Sequence, residues 1–326
     1  MSRSPWTMAG LCVLLFAAAA FAQDMGSDWT LNGFVDASYF LDANTSSSTF
    51  GLDQVEVDII RETDQGIVLR TDLETQGDQI GDVEQGFLLY RPAFINGLDI
   101  LFGKFNAPMG FEALDAPDMY QYSHSLLFNQ LPTNFTGLEL GYSINETMSI
   151  LAWVTNGWDV NYDNNEVRSF GGRTNASFGA LSLGLSGVTG LEDNDQLFPT
   201  SLADLDLSFT GMENLLIGGE LLYGKRSSRS VSSNKTEWKG AMVMGNYQVN
   251  EWLAATLRFD MLTTRITGTD ASQNSITFAP LFTLGDGMGA LIEYRLFNSD
   301  RDIYSDSNGN PTGMSQQIAF EMTYTF

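Results

Sequence analysis

Residues 317–326, the last ten of the chain, read QIAFEMTYTF and show its most regular pattern. Every second residue in this stretch is apolar: Ile318, Phe320, Met322, Tyr324 and Phe326. Alternation with a period of two residues is typical of a β-strand with one apolar and one polar face. The same alternation recurs along the chain, for example at 54–59, 67–74, 203–209 and 253–261.

The face opposite the apolar one often carries several charged or small residues in succession, which favours a water-filled interior. About sixteen such strands can be counted, and short turns alternate with longer polar loops between them. The sequence therefore predicts an all-β transmembrane antiparallel β-barrel of about 16 strands, with short periplasmic turns and long external loops. A soluble β-sandwich with Greek-key connections is the alternative, but it has no reason to alternate so regularly.

The composition agrees with this interpretation. The chain has 326 residues and a formal net charge of −24 at pH 7. Such acidity argues against a broad basic face, so no nucleic-acid partner is expected. The mean hydropathy of −0.08 argues against a bundle of membrane-spanning helices, each of which needs about 20 apolar residues. A barrel is compatible with this value, because only alternate residues of its strands are apolar.

The N-terminus has the features of a secretory signal peptide. Arg3 precedes an uncharged stretch at 8–22, which ends in the cleavage-site pattern Ala-Phe-Ala at 20–22. We therefore predict a signal peptide over 1–22 and a mature barrel over 23–326. An N-terminal anchor helix is the alternative, but the apolar stretch is short for one. Cys12 lies inside that stretch, so lipidation is not expected, and the mature chain has no cysteine.

A long loop follows the fifth predicted strand, at 106–134. Loops of this length in a compact fold are usually functional or disordered. Leu, Phe, Tyr and Met are frequent in it, so we expect it to be buried by folding into the lumen. Packing over the rim, as a lid or a trimer contact, is the alternative. The residues predicted near the narrowest point are Lys104, Glu112, Asp115, Asp118 and His124.

The polar faces of the clearest strands define a predicted lumen lining. It consists of Glu56, Asp58, Arg70, Asp72, Glu74, Asp204, Asp206, Arg258, Asp260, Glu293, Arg295 and Glu321. Acids outnumber bases, so we expect a modest preference for cations. Salt bridges to the three arginines would weaken this preference, and Lys104 at the constriction would locally oppose it.

The sequence does not favour an enzyme. The mature chain has one histidine and no cysteine, and no compact Ser-His-Asp pattern is present. The acidic stretches at 192–195 and 300–302 do not match the calcium-loop pattern, so we expect solvated charge there. No metal site and no cofactor are predicted.

A resemblance to a known family rests on the long loop. Residues 103–112 read GKFNAPMGFE and residues 123–128 read SHSLLF, followed by Pro132 and Gly137. This stretch resembles the OmpL-like β-barrel porins of Gram-negative bacteria. In that family the position of His124 is often basic. The resemblance implies a passive diffusion pore for small hydrophilic solutes or ions in the outer membrane, but it names no solute.

Several partners follow from this interpretation. A barrel in the outer membrane contacts lipid and lipopolysaccharide. The terminal aromatic residue, Phe326, resembles the signal by which the outer-membrane assembly machinery recognises its substrates. A homotrimer is left open. The alternative function is a structural or adhesive barrel whose pore is plugged and whose loops bind partners.

Overall fold

A computed structural model describes residues 28–76, 79–192, 199–227 and 235–326. The predicted signal peptide over 1–22 lies outside the described residues. Within the described ranges, sixteen strands form one closed barrel in which each strand pairs antiparallel with its neighbours. This confirms the predicted all-β barrel.

The barrel strands follow one another around the wall in chain order. They are β1 (Trp29–Asp42), β2 (Ser47–Glu62), β3 (Ile67–Gln76), β4 (Gln79–Tyr90), β5 (Leu98–Asn106), β6 (Asn134–Asn145), β7 (Met148–Trp158), β8 (Ser169–Phe178), β9 (Leu181–Leu191), β10 (Pro199–Met212), β11 (Leu215–Ser227), β12 (Lys235–Asn250), β13 (Leu253–Ile266), β14 (Thr269–Gly285), β15 (Met288–Ser299) and β18 (Met314–Thr325). Two short strands, β16 (Tyr304–Ser305) and β17 (Pro311–Thr312), pair with each other between β15 and β18.

The last strand closes the barrel. β18 pairs with β15 on one side and with β1 on the other, where Phe320 is opposite Tyr39. The terminal residue takes part, because the Phe326 amide donates to the carbonyl oxygen of Gly33 at 3.0 Å. Closure leaves no unpaired strand edge, which is the condition for a sheet to cross a lipid bilayer.

Alternation along each strand decides what faces outward. In β13 the side chains of Thr256 and Arg258 are fully buried, whereas Leu257 between them is 58% exposed. The exposed positions of the other strands are likewise mostly large apolar residues. A continuous apolar outer surface of this kind suits lipid and not water. No helix in the described part of the chain is long and apolar enough to cross a membrane.

Candidate functional site

The segment between β5 and β6 is the longest connection described. It contains two single-turn 3₁₀ helices, Ala116–Asp118 and Phe128–Gln130. Its two ends are held together at the barrel wall, where the Asn134 side-chain amide donates to Asn106 Oδ1 at 2.7 Å. We call residues 107–133 the interior loop, because its contacts are made with inward-facing side chains.

The interior loop reaches the far side of the barrel. β13 is the eighth strand from β5 in either direction around the wall. Arg258 of β13 donates through Nη1 to Glu112 Oε1 and to the Ser123 carbonyl oxygen, both at 2.6 Å. The Leu126 amide donates to Asp260 Oδ1 at 2.9 Å. The loop therefore crosses the interior from one wall to the opposite wall.

β15 holds the same part of the loop. Glu293 accepts hydrogen bonds from the Ser123 amide at 3.0 Å and from the Ser123 hydroxyl at 2.6 Å. Arg295 Nη1 donates to the His124 carbonyl oxygen at 2.7 Å. Charged wall residues thus bind the backbone of 123–126. Hydrogen bonds to charged groups are stronger than neutral ones, so this region is firmly fixed.

Other strands accept hydrogen bonds from the first part of the loop. The Gly110 amide donates to Asp204 of β10, and the Phe111 amide donates to Glu220 of β11, each at 3.1 Å. The Ala116 amide donates to Gln54 of β2 at 3.3 Å. A segment without its own strand or helix ladder must find partners for its buried amides. Here inward-facing polar side chains of the wall supply them.

Two wall glycines make room for apolar loop side chains. A Cβ atom at Gly218 would collide with the ring of Phe111, and one at Gly240 would lie 2.6 Å from Leu127 Cγ. Leu127 is fully buried in an apolar cluster inside the barrel. The cluster also includes Phe105, Met109, Leu131, Phe135, Trp153 and Met242. The loop is therefore held by apolar packing as well as by hydrogen bonds.

Burial changes the acidity of loop side chains. His124 stacks on Phe128 with ring centroids 3.7 Å apart, and its Nε2 lies 2.9 Å from the Ala113 carbonyl oxygen. Burial lowers the pKa of His124, so the ring is neutral at pH 7. Burial, together with neighbouring carboxylates of which Glu84 is the strongest, raises the pKa of Asp115 to about 7.

Four of the five predicted constriction residues lie in the interior loop. Glu112, Asp115 and Asp118 lie along its first half, and His124 follows in the second. Two cavities border the loop, one of about 400 Å³ and one of about 290 Å³. Glu112 and Asp118 line both cavities. Asp115 also lines the first of them.

The prediction for Lys104 is wrong. In β5, Phe102 is 67% exposed on the outer surface and Phe105 is buried inside. Alternation therefore places Lys104 on the outward side with Phe102, where its Nζ donates to the Val83 carbonyl oxygen at 2.7 Å. Lys104 does not contribute positive charge to the cluster around the interior loop.

The predicted lumen residues are placed on the inward side, and their arginines are paired. Arg70 Nε lies 2.8 Å from Asp72 Oδ2, and Arg70 Nη2 lies 3.6 Å from Asp58 Oδ2. Asp260 lies 3.3 Å from both Arg258 and Arg295. Of the remaining predicted residues, Asp206 pairs with an arginine of β8, Arg173, at 2.6 Å. The others are Glu56, Glu74, Asp204, Glu293 and Glu321.

The predicted lumen lining does not include every inward charge. Arg173 of β8 lies 2.6 Å from Asp206, and Glu220 and Glu84 are buried carboxylates of β11 and β4. Glu220 follows Gly218 and Gly219, and Arg173 follows Gly171 and Gly172, so the alternation is weak at both places. Counting in steps of two from the nearest apolar residue of each strand would have shown that the side chains of Glu220 and Arg173 face inward.

A closed sixteen-strand barrel with an apolar outer surface, a charged inner surface and a loop across its interior defines a porin-type outer-membrane protein. A family model, "Putative beta-barrel porin-2, OmpL-like", matches residues 28–326. The chain belongs to this family. It lies in the outer membrane of a Gram-negative bacterium.

Solved structures show the same fold. OmpT of Vibrio cholerae aligns with a TM-score of 0.71 at 13% identity, covering 93% of this chain and 99% of that one. Salmonella typhi OmpF, in complex with daunomycin, aligns with a TM-score of 0.70 at 14% identity over 93% and 99%. An anion-selective porin from Comamonas acidovorans aligns with a TM-score of 0.68 at 12% identity over 91% and 99%. No curated protein matches the chain.

Proposed function

We propose that the chain is a passive channel, and not an enzyme, through which small hydrophilic solutes and ions cross the outer membrane. The observation that supports this most is the interior loop, which joins β5 to residues of the opposite strand β13 inside a wall lined with charge. We infer that the loop leaves part of the cross-section free, because cavities of about 400 and 290 Å³ border it, and that it sets the width of the channel. The solute gradient is the only driving force.

We further propose that the channel prefers cations. The inward arginines, Arg70, Arg173, Arg258 and Arg295, each lie within 4.0 Å of a carboxylate. Among the described residues, inward acids outnumber them. The field inside is therefore negative, and it raises the local concentration of cations. The neutral ring of His124 adds no positive charge at pH 7.

A barrel with a plugged pore and a structural or adhesive role is the second candidate. The same hydrogen bonds that place the loop across the interior would also hold a plug.

The proposed partners are the same for a channel and for a plugged barrel. In either case the outer surface contacts lipid and lipopolysaccharide. We propose that the assembly machinery recognises the terminal Phe326. A homotrimer is the assembly we propose, by analogy with the OmpT structure described as a trimer form.

Electrical recording in a planar bilayer tests the proposal. A channel gives discrete conductance steps, whereas a plugged barrel gives none. Under a salt gradient, the sign of the reversal potential should show cation preference. This preference should fall as the screening length shortens to about 3 Å at 1 M salt. Anion preference at low salt would reject the proposed cation preference but would leave the proposed channel function intact.

A matched pair of variants tests where the preference originates. Asp118→Asn removes an acid of the interior loop that lines both cavities, and Asp64→Asn removes an exposed acid in the turn after β2. We expect the first variant to lower the cation preference and the second to leave it unchanged. An equal effect of both would assign the preference to the total charge of the protein and not to the lumen.

A further inference from the structure

One group of inward carboxylates forms no ion pair with any lysine or arginine of the described residues. Single oxygens of Glu56 (β2), Glu84 (β4) and Asp115 (the interior loop) lie within 4.8 Å of one another. Glu56 is 1% exposed and Glu84 is 6% exposed. Three carboxylates held so closely in a buried place repel one another and need compensation.

The oxygens of this group are also unpartnered. Both carboxylate oxygens of Glu84 are buried without a hydrogen-bond partner, as are Glu56 Oε2 and Asp115 Oδ1. Within the described ranges, no lysine or arginine forms an ion pair with any of the three. Buried carboxylates are rarely left in this condition unless something binds them.

A second group of carboxylates provides the comparison. Glu56, Asp58 and Asp72 are equally close to one another. There, however, Arg70 approaches both aspartates, and the Gln85 side-chain amide donates to Asp72 at 2.6 Å. The guanidinium already supplies the positive charge of the second group. Glu56 belongs to both groups, but among the described residues no arginine or lysine forms an ion pair with Glu84 or Asp115 of the first group.

We propose that Glu56, Glu84 and Asp115 bind a divalent cation, with Ca²⁺ as the preferred ion. Ca²⁺–oxygen distances are about 2.3–2.6 Å, so two oxygens bound to one ion lie at most about 4.6–5.2 Å apart. The three oxygens, all within 4.8 Å of one another, meet this limit. Ca²⁺ accepts irregular coordination completed by water, whereas Mg²⁺ requires a near-ideal octahedron. Ligands from three separate elements favour the more tolerant ion.

The position of the site gives the ion a structural role. Asp115 immediately precedes the 3₁₀ helix Ala116–Asp118, whose first amide is already bound by Gln54 of β2. A cation bound to Asp115 and to both wall glutamates would fix this end of the loop against β2 and β4. Where the chain conducts, as proposed above, bound Ca²⁺ should therefore change the conductance. The binding itself does not depend on that function.

Calorimetric titration of refolded, lipopolysaccharide-free, EDTA-treated protein with Ca²⁺ tests the site. We expect one saturable site per chain and a higher unfolding temperature with Ca²⁺ present. Glu84→Gln and Asp115→Asn should each weaken binding by about tenfold or more. Asp118→Asn is the control, because it removes an equal charge three residues from Asp115 but outside the group. It should weaken binding by about threefold at most.

Two results of this titration would overturn the site. The first is an absence of saturable binding to the folded protein, which would indicate that the carboxylates share protons. The second is equal weakening by Asp118→Asn and Asp115→Asn, because the ion would then be held only by the general field of the loop. A barrel that binds Ca²⁺ but does not conduct would retain the site and reject the channel function.

Discussion

Arg258 of β13 and Glu112 of the interior loop form a buried ion pair across the barrel. Their Nη1 and Oε1 atoms are 2.6 Å apart, and the two side chains are 0% and 2% exposed. Arg258 also donates to the Ser123 carbonyl oxygen and to the Thr277 hydroxyl. A single wall residue thus connects both halves of the loop to the opposite side of the barrel.

Loss of this arginine should release the loop. Arg258→Met leaves Glu112 buried without its counter-charge, a change that costs about 3–5 kcal/mol in other buried pairs. We expect a lower unfolding temperature and noisier, larger single-channel currents, because the loop can leave its position. Heat-modifiable gel migration and bilayer recording measure the two effects.

An exposed ion pair between β13 and β14 is the control for that variant. Arg265 and Asp270 are also 2.6 Å apart, but both are about half exposed. Arg265→Met should change neither stability nor current noise, because solvent-exposed pairs contribute little. If the two variants behave alike, the Arg258–Glu112 pair does not hold the loop.

The glycine beneath Leu127 should be sensitive to a single methyl group. Gly240→Ala places a Cβ 2.6 Å from Cγ of the fully buried Leu127, and overpacking of this kind costs about 1–3 kcal/mol. We expect lower thermal stability and altered conductance. Gly245→Ala in the same strand meets nothing closer than 3.8 Å, so it should be neutral. If the two glycine substitutions have equal effects, the strand propensity of alanine, and not the packing of Leu127, determines the change in stability.

The orientation of the last strand can be tested with two arginine substitutions. Phe320 faces outward and is 42% exposed, whereas Thr323 is on the inward side with Glu321. Phe320→Arg should destabilise the barrel by about 2–4 kcal/mol if it is near the bilayer midplane. Thr323→Arg should be tolerated, because its charge meets the aqueous interior. The folded fraction in lipid vesicles measures both, and a tolerated Phe320→Arg contradicts the assigned faces.

Alternation predicted much of the wall but failed where the interior is apolar. In β13 the polar residues Thr256, Arg258 and Asp260 face inward as expected. In β5, Phe102 and Phe105 face opposite sides, and both are aromatic. Because the interior beside the loop is itself apolar, hydrophobicity does not distinguish the two sides there. Hydrophobicity alone therefore does not show that Lys104, directly before Phe105, faces outward.

The sequence does not predict which residues the charged side chains contact. Alternation shows that Arg258 faces inward, but not that it meets Glu112, which is 146 residues away in the chain. The same holds for the group formed by Glu56, Glu84 and Asp115, whose members come from three elements. Such contacts depend on the path of the loop, and a loop without periodicity carries no local signal for its path.

Removal of the middle of the interior loop should widen the channel. Replacing residues 113–128 with a short Gly-Ser linker removes the contacts to Glu293 and Asp260 but leaves all sixteen paired strands in place. We expect larger single-channel conductance and passage of larger poly(ethylene glycol) molecules, because the loop no longer divides the interior. Shortening the exposed turn at 306–310 is the control and should leave conductance unchanged. A folded loop-deletion variant with wild-type conductance would show that the narrowest point lies elsewhere, and one without conductance would favour a barrel closed by other segments.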